Sequence, residues 1–258
     1  MGAEIVVGYD VETDCVGKIT MDILTHVHGA IVGQSGSGKS VALLWLLYQI
    51  LSLDMPVEIF ICDPKNSGDF DGILPSDHYA MGMVESAKMI HAYYELFLQA
   101  KEGNDLLRLL LIDEYAGLIT SLSEIIGGKE GKAELEKIKS EIASLMMLSR
   151  SRTMGVWCVM QRPSASLFNT SSSSNGSLDN LMFALNMGKL HTQTHVSIFA
   201  NECLENECFA STYHPSRGSG YFLQDGQPLK AIRIPLIRDK AAMTKLLQHK
   251  ARIKFGNF

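Results

Sequence analysis

The stretch Gly33-Gln34-Ser35-Gly36-Ser37-Gly38-Lys39-Ser40 decides the reading of this chain. It has the spacing G-x-x-x-x-G-K-[ST], with the apolar run Gly29–Val32 before it and the apolar run Val41–Ile50 after it. That is the strand–loop–helix setting in which such a loop binds phosphate. Glycines at 33, 36 and 38 let successive backbone N–H groups converge on one anion. The start of the following helix adds unpaired donors and the positive end of its dipole. Lys39 supplies a mobile cation for the β- and γ-phosphates, and the Ser40 hydroxyl can ligate magnesium. Residues Gly33 to Val41 are therefore the expected nucleotide contacts, with Mg-ATP as the expected ligand.

Length and composition fit this reading. At 258 residues and 46% hydrophobic, the chain suits one large α/β domain better than two small ones. A net charge of -5 excludes a generally basic nucleic-acid binder. The charge is uneven, however: between Lys230 and Lys254 the basic residues Lys230, Arg233, Arg238, Lys240, Lys245, Lys250, Arg252 and Lys254 face only Asp239. Residues 236–258 therefore read as a basic C-terminal helix or tail, and residues 1–28 as an N-terminal extension of short strands. Five cysteines, two of them (Cys62 and Cys158) inside apolar runs, suit reduced thiols. Cys203 and Cys208 with His195 and His214 do not match a zinc spacing. No charged-then-apolar leader opens the sequence, and the longest apolar run is too short to span a bilayer. The expected location is cytoplasmic, with any membrane contact made through a partner or a segment outside this chain.

The second chemical landmark is Leu109-Leu110-Leu111-Ile112-Asp113-Glu114, an aliphatic strand that ends in two carboxylates. Ligands of open α/β sheets bind at the carboxyl ends of strands. Asp113 is placed to hold magnesium through its water shell, and Glu114 to polarise the water that attacks the γ-phosphate. Val57–Lys65 and Met154–Gln161 read as further buried strands, and Gln161 at the tip of the second would face the γ-phosphate. Leu181–Met187 is another strand. Arg217–Gly226 and Lys230–Pro235 form a hairpin about an Asp-Gly turn. Helices are expected over Val84–Lys101, Ala133–Leu148 and His195–Phe209, with a loop from Thr120 that carries Gly127–Lys132. The serine-rich run Pro163–Ser177 reads as an exposed loop that buries no apolar face.

With these landmarks the chain resembles the FtsK/HerA superfamily of RecA-like motor ATPases, and within it the FtsK/SpoIIIE-type DNA translocases. The resemblance runs from about Ile5 to Pro235. Besides the phosphate loop, it rests on Val7-Gly8-Tyr9-Asp10, His28, Asp63-Pro64-Lys65, Leu111–Glu114, Ser151–Val156, Gln161-Arg162-Pro163-Ser164 and Arg217–Phe222. The chain departs from the pattern at Val27, at Gly220 in place of an aspartate, and at Met182-Phe183 in place of an arginine. The resemblance implies a RecA-like P-loop fold with a mainly parallel central sheet flanked by helices. It also implies a hexameric ring that hydrolyses ATP to move double-stranded DNA, nearest to conjugative or mobile-element coupling proteins. By the same resemblance Arg152, with Arg150 in reserve, would reach a neighbouring subunit's nucleotide. Lys129 and Lys132, with Ser171 and Ser172 of the serine-rich loop, would face a DNA channel. A membrane or secretion-channel partner would be engaged through regions outside this chain. Two rival readings share the fold: a type VII secretion ATPase acting on polypeptide, and a nucleotide-gated module with little turnover.

Overall fold

In the computed structural model, described for residues 3–103, 105–168 and 178–256, the aliphatic runs become strands of one ten-stranded sheet. In chain order these are β1 (Glu4–Asp10), β2 (Lys18–Asp22), β3 (Gly29–Gly33), β4 (Val57–Asp63), β5 (Tyr79–Met81), β6 (Leu107–Ile112), β7 (Met154–Met160), β8 (Phe183–Met187), β9 (Ser219–Gln224) and β10 (Lys230–Arg233). The helices are α1 (Lys39–Leu51), α2 (Met83–Gln99), α3 (Tyr115–Ile126), α4 (Gly128–Leu148), α5 (Thr192–Ser197), α6 (Glu207–Thr212) and α7 (Lys240–Phe255).

The spatial order is β2-β1-β10-β9-β8-β3-β7-β6-β4-β5. From β8 to β5 neighbouring strands are parallel, whereas β9, β10, β1 and β2 extend the sheet antiparallel. The parallel strands are buried on both faces because alternate side chains enter different cores. Ile31, Leu109, Leu111, Trp157 and Val159 pack with α1 and α7 residues such as Leu43, Leu47 and Leu247. Ala30, Val32, Leu110, Ile112, Val156 and Cys158 pack on the other side with Ile90, Tyr93, Leu118 and Ile142 of α2, α3 and α4.

Small residues set how closely these strands lie. A Cβ on Gly155 in β7 would come 2.1 Å from the Val27 carbonyl oxygen, and one on Gly220 in β9 would come 1.8 Å from that of Asn186. Gly220 therefore has no room for the aspartate that the resembling family carries. At the opposite edge of the sheet from the phosphate loop, the buried His28 accepts a hydrogen bond at Nδ1 from the Val156 amide at 3.2 Å. Burial, with Arg150 nearby, pushes its pKa down to about 4, which leaves the ring neutral.

Several expectations from sequence need correction. Residues 115–126 form a helix. The segment Gly127–Lys132 is not a loop: Gly127, at φ 84°, is a one-residue corner and α4 begins at Gly128. Lys129 and Lys132 are thus exposed residues in the first turns of a helix. His195–Phe209 is not one helix. It divides into α5 and α6 because Ala200 and Asn201 both take left-handed conformations (φ 48° and 63°). The start of the serine-rich segment does bury apolar surface, since Leu167 and Phe168 pack under Tyr115 and the Tyr115 hydroxyl donates to the Leu167 carbonyl at 2.8 Å. Ser171 and Ser172 lie outside the described residues. The basic C-terminal segment is helical, and much of its charge is tied down. Lys254 donates to the Leu53 and Met55 carbonyls, Lys250 sits 4.9 Å over the Tyr48 ring, and Lys240 pairs with Asp69. Among the described residues no helix is long and apolar enough to cross a membrane.

Candidate nucleotide site

The carboxyl ends of β3, β6 and β7 build the site. Gly33 closes β3 at φ 152°, where an added Cβ would come 2.5 Å from the Met187 carbonyl oxygen. Gly38, at φ 110°, turns the chain into α1, so the first residues of that helix are Lys39 and Ser40. Gln34, Ser35 and Gly36 are exposed, and Val41 is half-buried at the helix start. The Lys39 ammonium bends back across the loop and donates to the Gly33 and Gln34 carbonyls. Burial lowers its pKa, while Glu114 and Asp113 act to raise it. The Ser37 hydroxyl is buried without a hydrogen-bond partner, an unmet donor in a loop whose chemistry is to meet an anion.

Opposite the loop stand the two carboxylates at the end of β6. Asp113 accepts from the Glu114 amide at 3.0 Å. Desolvation, then the neighbouring Asp63 carboxylate, raises its pKa to about 6. Glu114 takes a left-handed conformation (φ 50°) where β6 passes into α3. This is an unfavourable geometry for a non-glycine residue and a common one at working sites. Its Oε2 lies 2.7 Å from the Lys65 ammonium and accepts from Gln161 Nε2 at 3.3 Å. Because β7 lies between β3 and β6, Gln161 at its tip reaches the glutamate from the side of the phosphate loop.

Lys39, Ser40, Asp113, Glu114 and Gln161 thus gather at one edge of the sheet. Arg152 does not join them. It precedes β7, so it stands at the opposite edge, where it donates to the Phe97 carbonyl at 2.5 Å and lies 4.4 Å over the Phe97 ring. It closes the C-terminus of α2, where a cation is favourable. Arg150 is exposed and makes no ion pair or side-chain hydrogen bond among the described residues.

Three further residues of the site were not singled out from sequence. Asp69 accepts from Ser40 Oγ at 3.0 Å and pairs with Lys240 at 2.5 Å. Asp63 is fully buried. Its Oδ2 accepts from Ser67, the Gly68 amide and Tyr79, while its Oδ1 has no partner. Lys65 is the ion partner of Glu114. The Asp63-Pro64-Lys65 strand end was visible in the sequence. Asp69, within a glycine-containing loop, gave no signal. A serine hydroxyl, the desolvated Asp113 carboxyl and an unpartnered carboxylate oxygen are hard donors that suit magnesium. Among the described residues no three His, Cys, Asp or Glu side chains form a closed metal cluster. The donor set therefore fits an ion held largely by phosphate and water.

No protein-family profile matches the chain, and no curated protein is significantly similar to it. Solved structures are. The pCW3 conjugation coupling protein TcpA, solved in a monomer form with ATPγS, is similar with a TM-score of 0.69 at 18% identity, over 97% of this chain and 71% of that one. The cytoplasmic domain of the Thermomonospora curvata type VII secretion ATPase EccC has a TM-score of 0.63 at 15% identity, over 96% of this chain and 31% of its own. VirB4 of Thermoanaerobacter pseudethanolicus has a TM-score of 0.54 at 13% identity, over 92% of this chain and 97% of its own. With its mostly parallel sheet and flanking helices, the chain shares the α/β fold of these solved structures.

Proposed function

We propose that this chain is the motor unit of an ATP-hydrolysing ring that moves double-stranded DNA. Residues 1–258 act as one RecA-like unit, with 1–28 as its strand extension and 236–258 as its basic C-terminal segment, whose helix α7 packs on α1. The observation that carries the reading is the convergence of Lys39, Ser40, Asp113, Glu114 and Gln161 at one sheet edge. The residues Gly33 to Val41 bind the triphosphate through backbone N–H groups, and Lys39 exchanges its carbonyl partners for phosphate oxygens. Ser40 and Asp113 would hold magnesium, which would neutralise developing phosphate charge. Glu114 accepts hydrogen bonding from the attacking water, and Gln161 fixes the glutamate's orientation. Lys65 holds Glu114 until substrate draws it toward the water.

DNA as cargo is supported by the likeness to a protein described as a conjugation coupling protein. The exposed Lys129 and Lys132, with Ser171 and Ser172, are the proposed phosphate contacts of the channel. The free Arg150, rather than the tethered Arg152, is the better candidate for a cation offered to the neighbouring subunit. The decisive measurement is ATP turnover with and without linear duplex DNA at low salt. Several-fold stimulation is expected, and its absence would remove the DNA reading. The likeness to EccC favours a second reading, a polypeptide-handling ATPase. Stimulation by substrate peptide but not by DNA would select it. Turnover that is negligible in the unaltered protein and unchanged in Glu114→Gln would instead select a nucleotide-gated module.

A further inference from the structure

The hydroxyl of Ser40 is already engaged, and not by the carboxylate at the end of β6. Asp113 accepts from the Glu114 amide, while Ser40 Oγ donates at 3.0 Å to Asp69 Oδ2, in the loop that follows β4. That loop is built to hold the Asp69 carboxylate in place. Asp63, the last residue of β4, accepts from Ser67 Oγ and from the Gly68 amide, each at 3.0 Å. The Ser67 hydroxyl in turn accepts from the Asp69 amide at 3.3 Å, and Gly68 turns the chain at φ 69°. The other oxygen of Asp69 meets the ammonium of Lys240, the first residue of α7. Asp239 caps that helix by accepting from the Ala242 amide at 2.9 Å, which fixes where Lys240 begins. α7 also lies against the same loop at Gly72, where a Cβ would come 3.2 Å from Gln248 Nε2, and it packs on α1 through Leu247 and Ala251.

A hydroxyl that ligates a cation offers it an oxygen lone pair, so its single proton needs an acceptor on the side away from the ion. Asp69 supplies that acceptor. We propose that Asp69 is the positioning residue that turns the Ser40 hydroxyl toward magnesium, and that Lys240, by pairing with Asp69, makes the start of α7 a brake on cation affinity. This rests on the nucleotide reading above and adds a control of its metal site by a helix outside the phosphate loop. The two oxygens of Asp69 divide the work: Oδ2 orients the hydroxyl, and Oδ1 gives up charge to the ammonium. Lys240 holds that charge loosely, because its side chain is 55% exposed and the pair is screened by salt. Whatever draws the ammonium off Asp69 leaves more negative charge beside the cation and tightens its binding.

Measuring ATPγS binding by the full chain across a range of magnesium concentrations, with a magnesium-free arm, tests this. Asp69→Ala should raise the magnesium needed for half-maximal binding by at least about tenfold. Its magnesium-free binding should stay within about twofold of the unaltered protein, which also shows that the variant folds. Asp69→Asn keeps one acceptor oxygen for Ser40 and should recover most of the loss. Lys240→Met should act in the opposite direction, lowering the magnesium requirement by about twofold or more at low salt and by less at high salt. A merely structural ion pair predicts the same sign for Asp69→Ala and Lys240→Met, because both break it. Equal signs, or an unchanged magnesium requirement in Asp69→Ala, overturn the proposal. Magnesium-free binding lost in both Asp69 variants makes the residue structural and overturns it as well. If the unaltered protein binds no ATPγS at any magnesium concentration, the nucleotide reading itself fails.

Discussion

Replacing Asp113 by asparagine should make the nucleotide-free protein more stable while it stops turnover. The carboxyl of Asp113 is removed from water beside Asp63, and its pKa rises from 3.8 to about 6. A raised carboxyl pKa means that folding disfavours the ionised form. The penalty is full above the folded pKa and vanishes below the unfolded one. At pH 7.5 the shift corresponds to about 3 kcal/mol of lost stability, as an upper estimate. Linkage brings this to about half by pH 5 and to well under 1 kcal/mol by pH 4. Asparagine keeps the oxygen that accepts from the Glu114 amide and carries no charge. Urea unfolding of both proteins should show a variant advantage of about 2–3 kcal/mol at pH 7.5 that shrinks as pH falls. A variant equally or less stable at pH 7.5 would refute the claim that this carboxylate is held at a cost until a cation joins it.

Glu114→Gln should bind ATPγS normally and lose about 10²–10³ in turnover, since the amide cannot accept the water's proton; turnover within a few-fold of the unaltered protein would exclude Glu114 as the base. Arg152→Ala should cost about 1–2 kcal/mol in thermal or urea unfolding, by loss of the Phe97 carbonyl bond and ring contact, and leave ATPase per folded molecule intact. A large drop in hydrolysis at unchanged stability would return Arg152 to a role in the neighbouring site. Gly155→Ala should destabilise by about 3 kcal/mol or more, because a Cβ there meets the Val27 carbonyl at 2.1 Å; calorimetric melting reads it. Tyr93→Phe removes the hydroxyl that lies 2.9 Å from the Gly155 carbonyl and 3.0 Å from that of Arg108, at about 1–2 kcal/mol in the same assay.

The parallel sheet was legible in the sequence because its strands are unbroken aliphatic runs that end in polar or glycine residues. The phosphate loop and the Asp113-Glu114 strand end were legible because each places a chemical group where a strand stops. What sequence reading missed lacks that marking. The α3 helix starts on a left-handed glutamate with no side-chain cap, so nothing separates it from the strand before it. The break between α5 and α6 falls on Ala200 and Asn201, and alanine does not announce a left-handed turn. The two glycines at 127 and 128 read as a loop, yet one makes a corner and the other opens a helix. Lys65 and Asp69 meet Glu114 and Ser40 only through the sheet order, which local pattern does not contain.

The pairing of β1 with β10 sets an order of assembly. Tyr9 lies opposite Arg233, so β1 meets β10 only after all the residues between them have been made. Contacts this distant in sequence form late and slow the folding that depends on them. The helices and central parallel strands can condense first, leaving the β1–β2 hairpin waiting at an open edge. Gly218, which ties the phosphate loop to the β10 segment, belongs to the same late-arriving region. The backbone tie between the phosphate loop and the β10 segment is therefore among the last contacts to form.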